Sequence, residues 1–425
     1  MSRDNVRLPL TSVLVVILAG CSAGSAGVRA ATPIPAGTEV RALWVVRNTL
    51  VHPDSIRAMV RRAADAGFNT LIVQVRGRGD AYYRGRWEPP PPGWRSGSYD
   101  PLERTIREAH RRGLRVHAWI NTNLVANADT LPADSTHLVH RRPDLLAVPQ
   151  PLARQLYAAN PRDSSYVQAL AEYARANRDH TEGLYLSPAA PEVKEHIYSI
   201  WMDLVEHYDL DGLHFDYVRY PAPDYDYSRI ALDRFRDWLV PHLPDTTRLR
   251  FAERASFDPL VYTDSFPAAW DDFRRQQITE LVERIYYGVK KRAPRLLVSA
   301  AVFADTASAH DRRYQDWQEW LRRGILDVAC PMAYTDSLPL FRERIRTAVA
   351  TVGGGRVWAG IGAYRNTVDG TVAQIGVARE LGAAGIVLFS YNSLVRGDST
   401  NPGERYLRAV GERALRGERA TVSSH

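Results

Sequence analysis

The sequence predicts an α/β protein folded as a (β/α)8 TIM barrel, with long loop insertions after the third and fourth strands. Three observations predict it. Short apolar runs alternate eight times with amphipathic helical patterns, the βαβα signature. Gly67, Gly113, Gly324 and Gly382 each stand between a helical pattern and the next apolar run, where a helix C-cap favours glycine. No G-x-G-x-x-G follows the first run and no phosphate loop occurs elsewhere, so a doubly wound nucleotide-binding sheet loses its usual support. With 45% hydrophobic and 24% charged residues, the 425-residue chain has the make-up of a folded protein rather than a disordered one.

The first element reads as a leader. Arg3 and Arg7 precede "LPLTSVLVVILAG", giving a charged region and then an apolar run too short for a comfortable membrane span. The run ends at Cys21, and the pattern resembles a bacterial lipoprotein signal in which that cysteine is lipidated. Residues 1–20 are therefore expected to be a signal peptide. Residues 21–37, "CSAGSAGVRAATPIPAG", are small, without periodicity, and read as a flexible tether. The expected location is the exported cell envelope, lipid-anchored on the outer-membrane or periplasmic side. Cys330, the only other cysteine, sits in an apolar run and reads as a core residue. The net charge of +7 is spread along the chain with no lysine-rich block, so no nucleic-acid partner is expected.

The barrel is expected over 38–417, followed by a disordered tail at 418–425. Its strands are read at 41–47, 69–76, 114–121, 211–218, 296–303, 326–334, 356–364 and 384–391. Helices are read at 54–66, 100–112, 191–208, 271–292, 313–322, 338–350, 371–381 and 403–415. The two inserts, 122–190 and 219–270, fall on the C-terminal face, where barrel sites are built.

Candidate site residues are the polar and aromatic side chains at strand ends. The second strand ends in Arg76 with Asp80 just beyond, the third carries His117, Trp119 and Asn121, and the fourth carries His214 and Asp216 with Tyr217 and Arg219 following. Later strands contribute Asp305, Tyr334, Asp336 and Tyr391. Carboxylates, amides, guanidiniums and rings together suit a carbohydrate, whose faces stack on aromatics and whose hydroxyls need paired hydrogen bonds. Glycoside hydrolysis needs two carboxyl groups flanking the bond. Asp216 is the first candidate, because it shares strand parity with His214 and so points the same way. The second is open among Asp305, Asp336 and Asp80, in that order. Each has a plain alternative as a cap, turn or salt-bridge residue. Asp211 reads as a turn residue opening the fourth strand. No zinc-ligand spacing and no nucleophile–base set appears, so no metal or cofactor is expected and a peptidase reading lacks its chemistry.

The blocks "EVRALWVVRNTL", "NTLIVQVRGRGDAYYRGRWEP", "YDPLERTIREAHRRGLRVHAWINTN", "LSPAAPEVKEHI" and "YDLDGLHFDYVRYP" run collinearly from Glu39 to Pro221. They resemble glycosyl-hydrolase-like family ten, also called domain of unknown function 187. The resemblance implies a barrel glycoside hydrolase, often an exported lipoprotein, acting on a cell-envelope glycan that includes peptidoglycan strands stripped of peptide. It also implies that Asp80, His117, Trp119, Asn121 and Asp216 occupy the family's characteristic positions. One departure stands out: the family commonly has a second Asp directly after the fourth-strand Asp, and here that residue is Tyr217. A partial likeness to family 18 chitinases, "DGLHFD" and "MAY", also lacks its acid, since Val218 stands where those enzymes keep a Glu.

The expected function is thus a lipid-anchored glycoside hydrolase using two carboxyl groups on an envelope polysaccharide. The remaining named residues would line its subsites. The alternative is a non-catalytic glycan-binding lipoprotein on the same scaffold.

Overall fold

A computed structural model describes residues 38–91, 94, 99–396 and 403–416. The expected signal peptide, Cys21, the tether and the 418–425 tail lie outside the described residues. Eight parallel strands close into a barrel: β1 (Val40–Val45), β2 (Thr70–Arg76), β3 (Arg115–Asn121), β6 (Gly212–Asp216), β7 (Leu297–Phe303), β8 (Val328–Met332), β9 (Trp358–Ile361) and β10 (Gly385–Leu388). Two more strands, β4 (Leu124–Ala126) and β5 (Leu184–Tyr185), form an antiparallel pair inside the first insert.

Strand alternation splits the side chains into two layers. Ala42, Trp44, Ile72, Trp119, Ala301, Cys330 and Val387 cluster in the barrel interior. Their neighbours Leu43, Val45, Leu71, Val73 and Leu388 join the larger core between strands and helices. Cys330 is buried and unpaired, and burial pushes its thiol pKa up, which fits a packing role. The four junction glycines all have positive φ, between 69° and 90°.

Several elements differ from the sequence reading. The helix read at 313–322 is two helices, Thr306–Arg313 and Trp317–Arg322, separated by Tyr314 at φ 53°. The helix read from 271 begins at Pro267, whose fixed φ suits a first turn. A short helix, Tyr391–Arg396, follows β10 directly.

The inserts are structured. The first carries β4, β5 and the helices Gln150–Tyr157 and Ser164–Ala176; the second carries Arg229–Leu239 and Asp245–Ala255. They are tied to each other by buried and half-buried polar groups. Asp226 accepts from the Val148 and Ser228 amides at 2.9 and 2.8 Å, and Tyr173 donates its hydroxyl to Asp224 at 2.6 Å. Between β4 and β5 the approach is tight: Gly183 has φ 150°, and a Cβ there would lie 2.2 Å from the Ala126 carbonyl. Glycine is therefore required one residue after Glu182.

The loop after β2 is held by a buried ion pair. Arg76 is 0% exposed and forks onto Glu88, with Nε and Nη2 at 2.8 and 2.6 Å. Arg76 also donates to the backbone carbonyls of Asn121 and Thr122. Burial raises the Glu88 pKa, but Arg76 and His196 outweigh it and bring it down to about 2. Removing one partner leaves a buried charge uncompensated. Glu88→Leu is expected to lower unfolding free energy by about 3–5 kcal/mol, whereas Arg76→Met with Glu88→Leu recovers most of the loss. Urea denaturation midpoints of both variants measure this; equal losses would contradict it.

Candidate active site

The strand C-termini and the first insert enclose a cleft of about 390 Å³. Its wall includes Trp44, Arg47, Arg78, Trp119, Glu182, Asp216, Tyr217, Arg219, Tyr334 and Phe389. The register of β3 against β6 sets Asn121 opposite Asp216, so both stand at the open end.

Asp216 ends β6. The next residue, Tyr217, takes φ 51°, an unusual value for a residue with a side chain. That sharp turn brings the Tyr217 amide back to Asp216 Oδ1 at 2.7 Å. It also lays the Tyr217 ring on the Arg219 guanidinium, 4.7 Å from its centroid. Phe303 and Tyr185 flank the same guanidinium at 5.1 and 6.0 Å. Arg219 Nη2 donates to Glu182 Oε1 at 2.8 Å, and the Tyr185 hydroxyl donates to Glu182 Oε2 at 2.5 Å.

The cleft therefore holds two carboxyl groups pushed in opposite directions. Burial raises the Asp216 pKa to about 7; the nearby Arg219 and the Tyr217 amide only partly oppose it, and the charge of Glu182 adds to the rise. Glu182 is also raised by burial, but the Arg219 charge and the two hydrogen bonds outweigh this and hold it below the usual carboxylate range. More than a third of the Glu182 side chain (38%) stays open to solvent, so it remains accessible to a ligand. One group is poised to keep its proton near neutrality while its neighbour stays ionised, the pattern of an acid and base pair.

Beneath the cleft lies a neutral layer. Trp44 Nε1 donates to His214 Nε2 at 3.2 Å, so the other ring nitrogen, Nδ1, carries the proton and faces Ser299 Oγ at 2.8 Å. Burial lowers the His214 pKa to about 3 and that of His117 to about 4, so both imidazoles stay uncharged. On the far wall Tyr334 stacks on Phe389 at 5.4 Å, with Trp44 edge-on to both. This aromatic face suits a sugar ring.

The chain matches the glycosyl hydrolase-like 10 family over residues 39–353. It belongs to that family. Among curated proteins it is 27% identical over 291 residues to the glycosyl hydrolase DigH of Escherichia coli K12, covering 63% of this chain and 55% of that protein. It is 24% identical over 294 residues to the glycosyl hydrolase YngK of Bacillus subtilis, covering 63% of this chain and 46% of that protein. The chain thus spans about half the length of the curated relatives it matches. Among solved structures it resembles the glycoside hydrolase domain of PgaB (BpsB) from Bordetella bronchiseptica, with TM-score 0.61, 16% identity, and 89% and 99% of the two chains covered. Gan42B, a GH42 β-galactosidase from G. stearothermophilus, gives TM-score 0.60 at 16% identity, covering 89% of this chain and 56% of that one. These likenesses show the shared barrel fold.

In this member of glycosyl hydrolase-like family 10, the residues expected from sequence divide into three groups. Asp216, Trp119, Asn121, Tyr217, Arg219 and Tyr334 reach the cleft wall. Asn121 accepts from Trp119 Nε1 at 2.9 Å and from Gln74 at 3.2 Å, and donates to the Gly77 carbonyl at 2.7 Å, so it fixes the indole and the loop. His214, His117, Arg76 and Asp80 do not line the wall. The first two underlie it and Arg76 braces the loop, while Asp80 caps the loop by accepting from the Gly77 and Arg78 amides at 3.1 and 2.7 Å.

The third group lies elsewhere, and here the structure corrects the sequence reading. Asp305 is exposed and caps the helix Thr306–Arg313, accepting from the Ser308 amide at 2.8 Å. Asp336 is exposed on the loop before the helix Leu338–Val352. Tyr391 is buried at a helix start, with its hydroxyl accepting from Arg62 at 3.0 Å; Phe389 takes its place in the cleft. Asp211 accepts from the Val116 amide at 2.8 Å at the closed end.

The second carboxylate that the cleft brings near Asp216 is Glu182, which comes from the insert rather than a strand end. A sequence signal was present: "EGLYLSP" places an acid before a glycine and a short alternating run. Trp44, Arg47 and Arg78 also escaped notice.

The raised pKa of Asp216 has a consequence for stability. A free Asp titrates near 3.9, so between about pH 4 and 7 the folded state binds more protons than the unfolded state. Stability from this group is therefore present at low pH and lost as pH rises through about 7. Asp216→Asn removes that loss and keeps an acceptor for the Tyr217 amide. Its Tm relative to the parent is expected to be higher at pH 8 than at pH 5; a constant difference in thermal scans would contradict the assignment.

Proposed function

We propose that this chain is a glycoside hydrolase of the cell envelope, with Asp216 as general acid and Glu182 as the ionised partner. The observation that carries the reading is the placement of two carboxyl groups in one aromatic-walled cleft, where burial favours the protonated form of Asp216 and Arg219 favours the ionised form of Glu182. Asp216 would protonate the departing glycosidic oxygen. Glu182 would face the positive charge that develops at the anomeric carbon, as nucleophile or as the base that activates water. Arg219 acts through Glu182 by keeping it ionised. Trp44, Trp119, Tyr334 and Phe389 would supply stacking surfaces.

The substrate class we propose is an envelope polysaccharide, including peptidoglycan glycan strands freed of peptide. The support is family membership together with the leader pattern ending at Cys21. That pattern also supports a lipid anchor facing the outer membrane or periplasm. In a bacterial host, Cys21→Ser is expected to move the protein from the membrane to the soluble fraction; unchanged fractionation would exclude the anchor.

Purified peptide-free glycan strands assayed for new reducing ends test the activity. Asp216→Asn and Glu182→Gln are each expected to lose roughly 10²–10⁴-fold in kcat/KM, the span of a general acid–base contribution. For the parent enzyme kcat/KM should fall above about pH 7 as Asp216 gives up its proton. A rate that persists through pH 9, or full activity in either variant, would remove the pair from the mechanism. A second reading, a glycan-binding protein without turnover, draws on Tyr217 and Val218 standing where relatives or look-alikes keep an acid; binding without any reducing-end release would favour it.

A further inference from the structure

Three arginines, Arg47, Arg78 and Arg219, share the cleft wall. Arg219 is matched by Glu182. Arg47 and Arg78 remain on the same wall. Asp80 meets Arg47 only at 3.8 Å, Arg47 Nη1 donates to the neutral Gln74 side chain at 3.1 Å, and the guanidinium lies 6.0 Å from the centre of the Tyr82 ring. Arg47 Nε is buried and has no hydrogen-bond partner. Among the described residues, the Arg78 guanidinium makes no hydrogen bond or ion pair.

Both arginines are nevertheless built into place. Arg47 lies on Gly77, where a Cβ would stand 2.4 Å from its Cδ and Nε. The backbone around Arg78 is held from both sides: Asp80 accepts from its amide at 2.7 Å, and its carbonyl faces His137 Nε2 at 2.9 Å. Asn121 fixes the Gly77 carbonyl next to it at 2.7 Å. Rigid backbone with under-used guanidinium donors is an arrangement prepared for an anion. A neutral sugar offers hydroxyls, which do not need two such groups.

We infer that Arg47 and Arg78 form a subsite for a carboxylate carried on a sugar residue of the substrate, so that the cleft selects an acidic glycan. This rests on the hydrolase reading for the choice of polymer, but binding tests it apart from turnover. The probe is a peptide-free wall glycan oligosaccharide in two forms: its free acid, and the same oligosaccharide with carboxyl groups reduced to alcohols. Calorimetric titration into Asp216→Asn is expected to show the free acid binding roughly ten- to hundredfold tighter, the scale of a hydrogen bond to a charged group. Adding Arg78→Gln should abolish that preference. Equal affinity for the two forms, no binding of either, or a preference that survives Arg78→Gln would overturn the subsite. Reducing-end assays of the parent enzyme, run in parallel, separate the two ideas. Preference without turnover keeps the subsite and removes the hydrolase reading; turnover without preference does the reverse.

Discussion

The Arg219–Glu182 ion pair is the interaction on which the cleft depends. Arg219 is almost fully buried, yet its charge is matched by one carboxylate and covered by three aromatic rings. A buried guanidinium needs such a partner, because desolvation would otherwise cost several kcal/mol. The same pair determines how the two acids differ. Glu182 receives the direct contact and stays ionised. Asp216, close enough to feel both charges but bonded to neither, is governed by its burial. The left-handed turn at Tyr217 makes this division possible, since it carries the chain from Asp216 to Arg219 without pairing one with the other.

Below that pair, the interior is arranged to be neutral. Two buried imidazoles without charge, an indole and a serine fill the space under the cleft floor. A charged histidine there would lower the Asp216 pKa and shorten the range over which it keeps its proton. Uncharged packing beneath and an ion pair at the side together give Asp216 its environment.

Much of the barrel was legible in the sequence because its signals are local. Period-two apolar runs mark strands, and glycine at helix ends marks junctions that need positive φ. Asp216 was legible for the same reason, as a polar residue at a strand end. Glu182 was not. Its role depends on an antiparallel pairing of a three-residue and a two-residue strand across some sixty residues, too short for periodicity to register. Asp305 and Asp336 misled because a helix cap and a loop acid carry the same sequence pattern as a catalytic acid at a strand end. The distinction appears only in the structure, where the Asp305 carboxylate accepts from the Ser308 amide. Arg47 and Arg78 were hidden by the overall abundance of arginine.

The β4–β5 pairing gives the two acids different structural owners. Asp216 belongs to the barrel wall, whose register is fixed on both sides by neighbouring strands. Glu182 belongs to an insert, fastened mainly through Arg219, Tyr185 and the glycine that follows it. The two carboxyl groups of the cleft can therefore diverge at different rates. A barrel that exchanged this insert for another would keep Asp216 and lose Glu182, and under the proposed mechanism could regain a second carboxylate only from a new loop. Reaction stereochemistry, which depends on the separation of the two groups, would then be a property of the insert rather than of the fold.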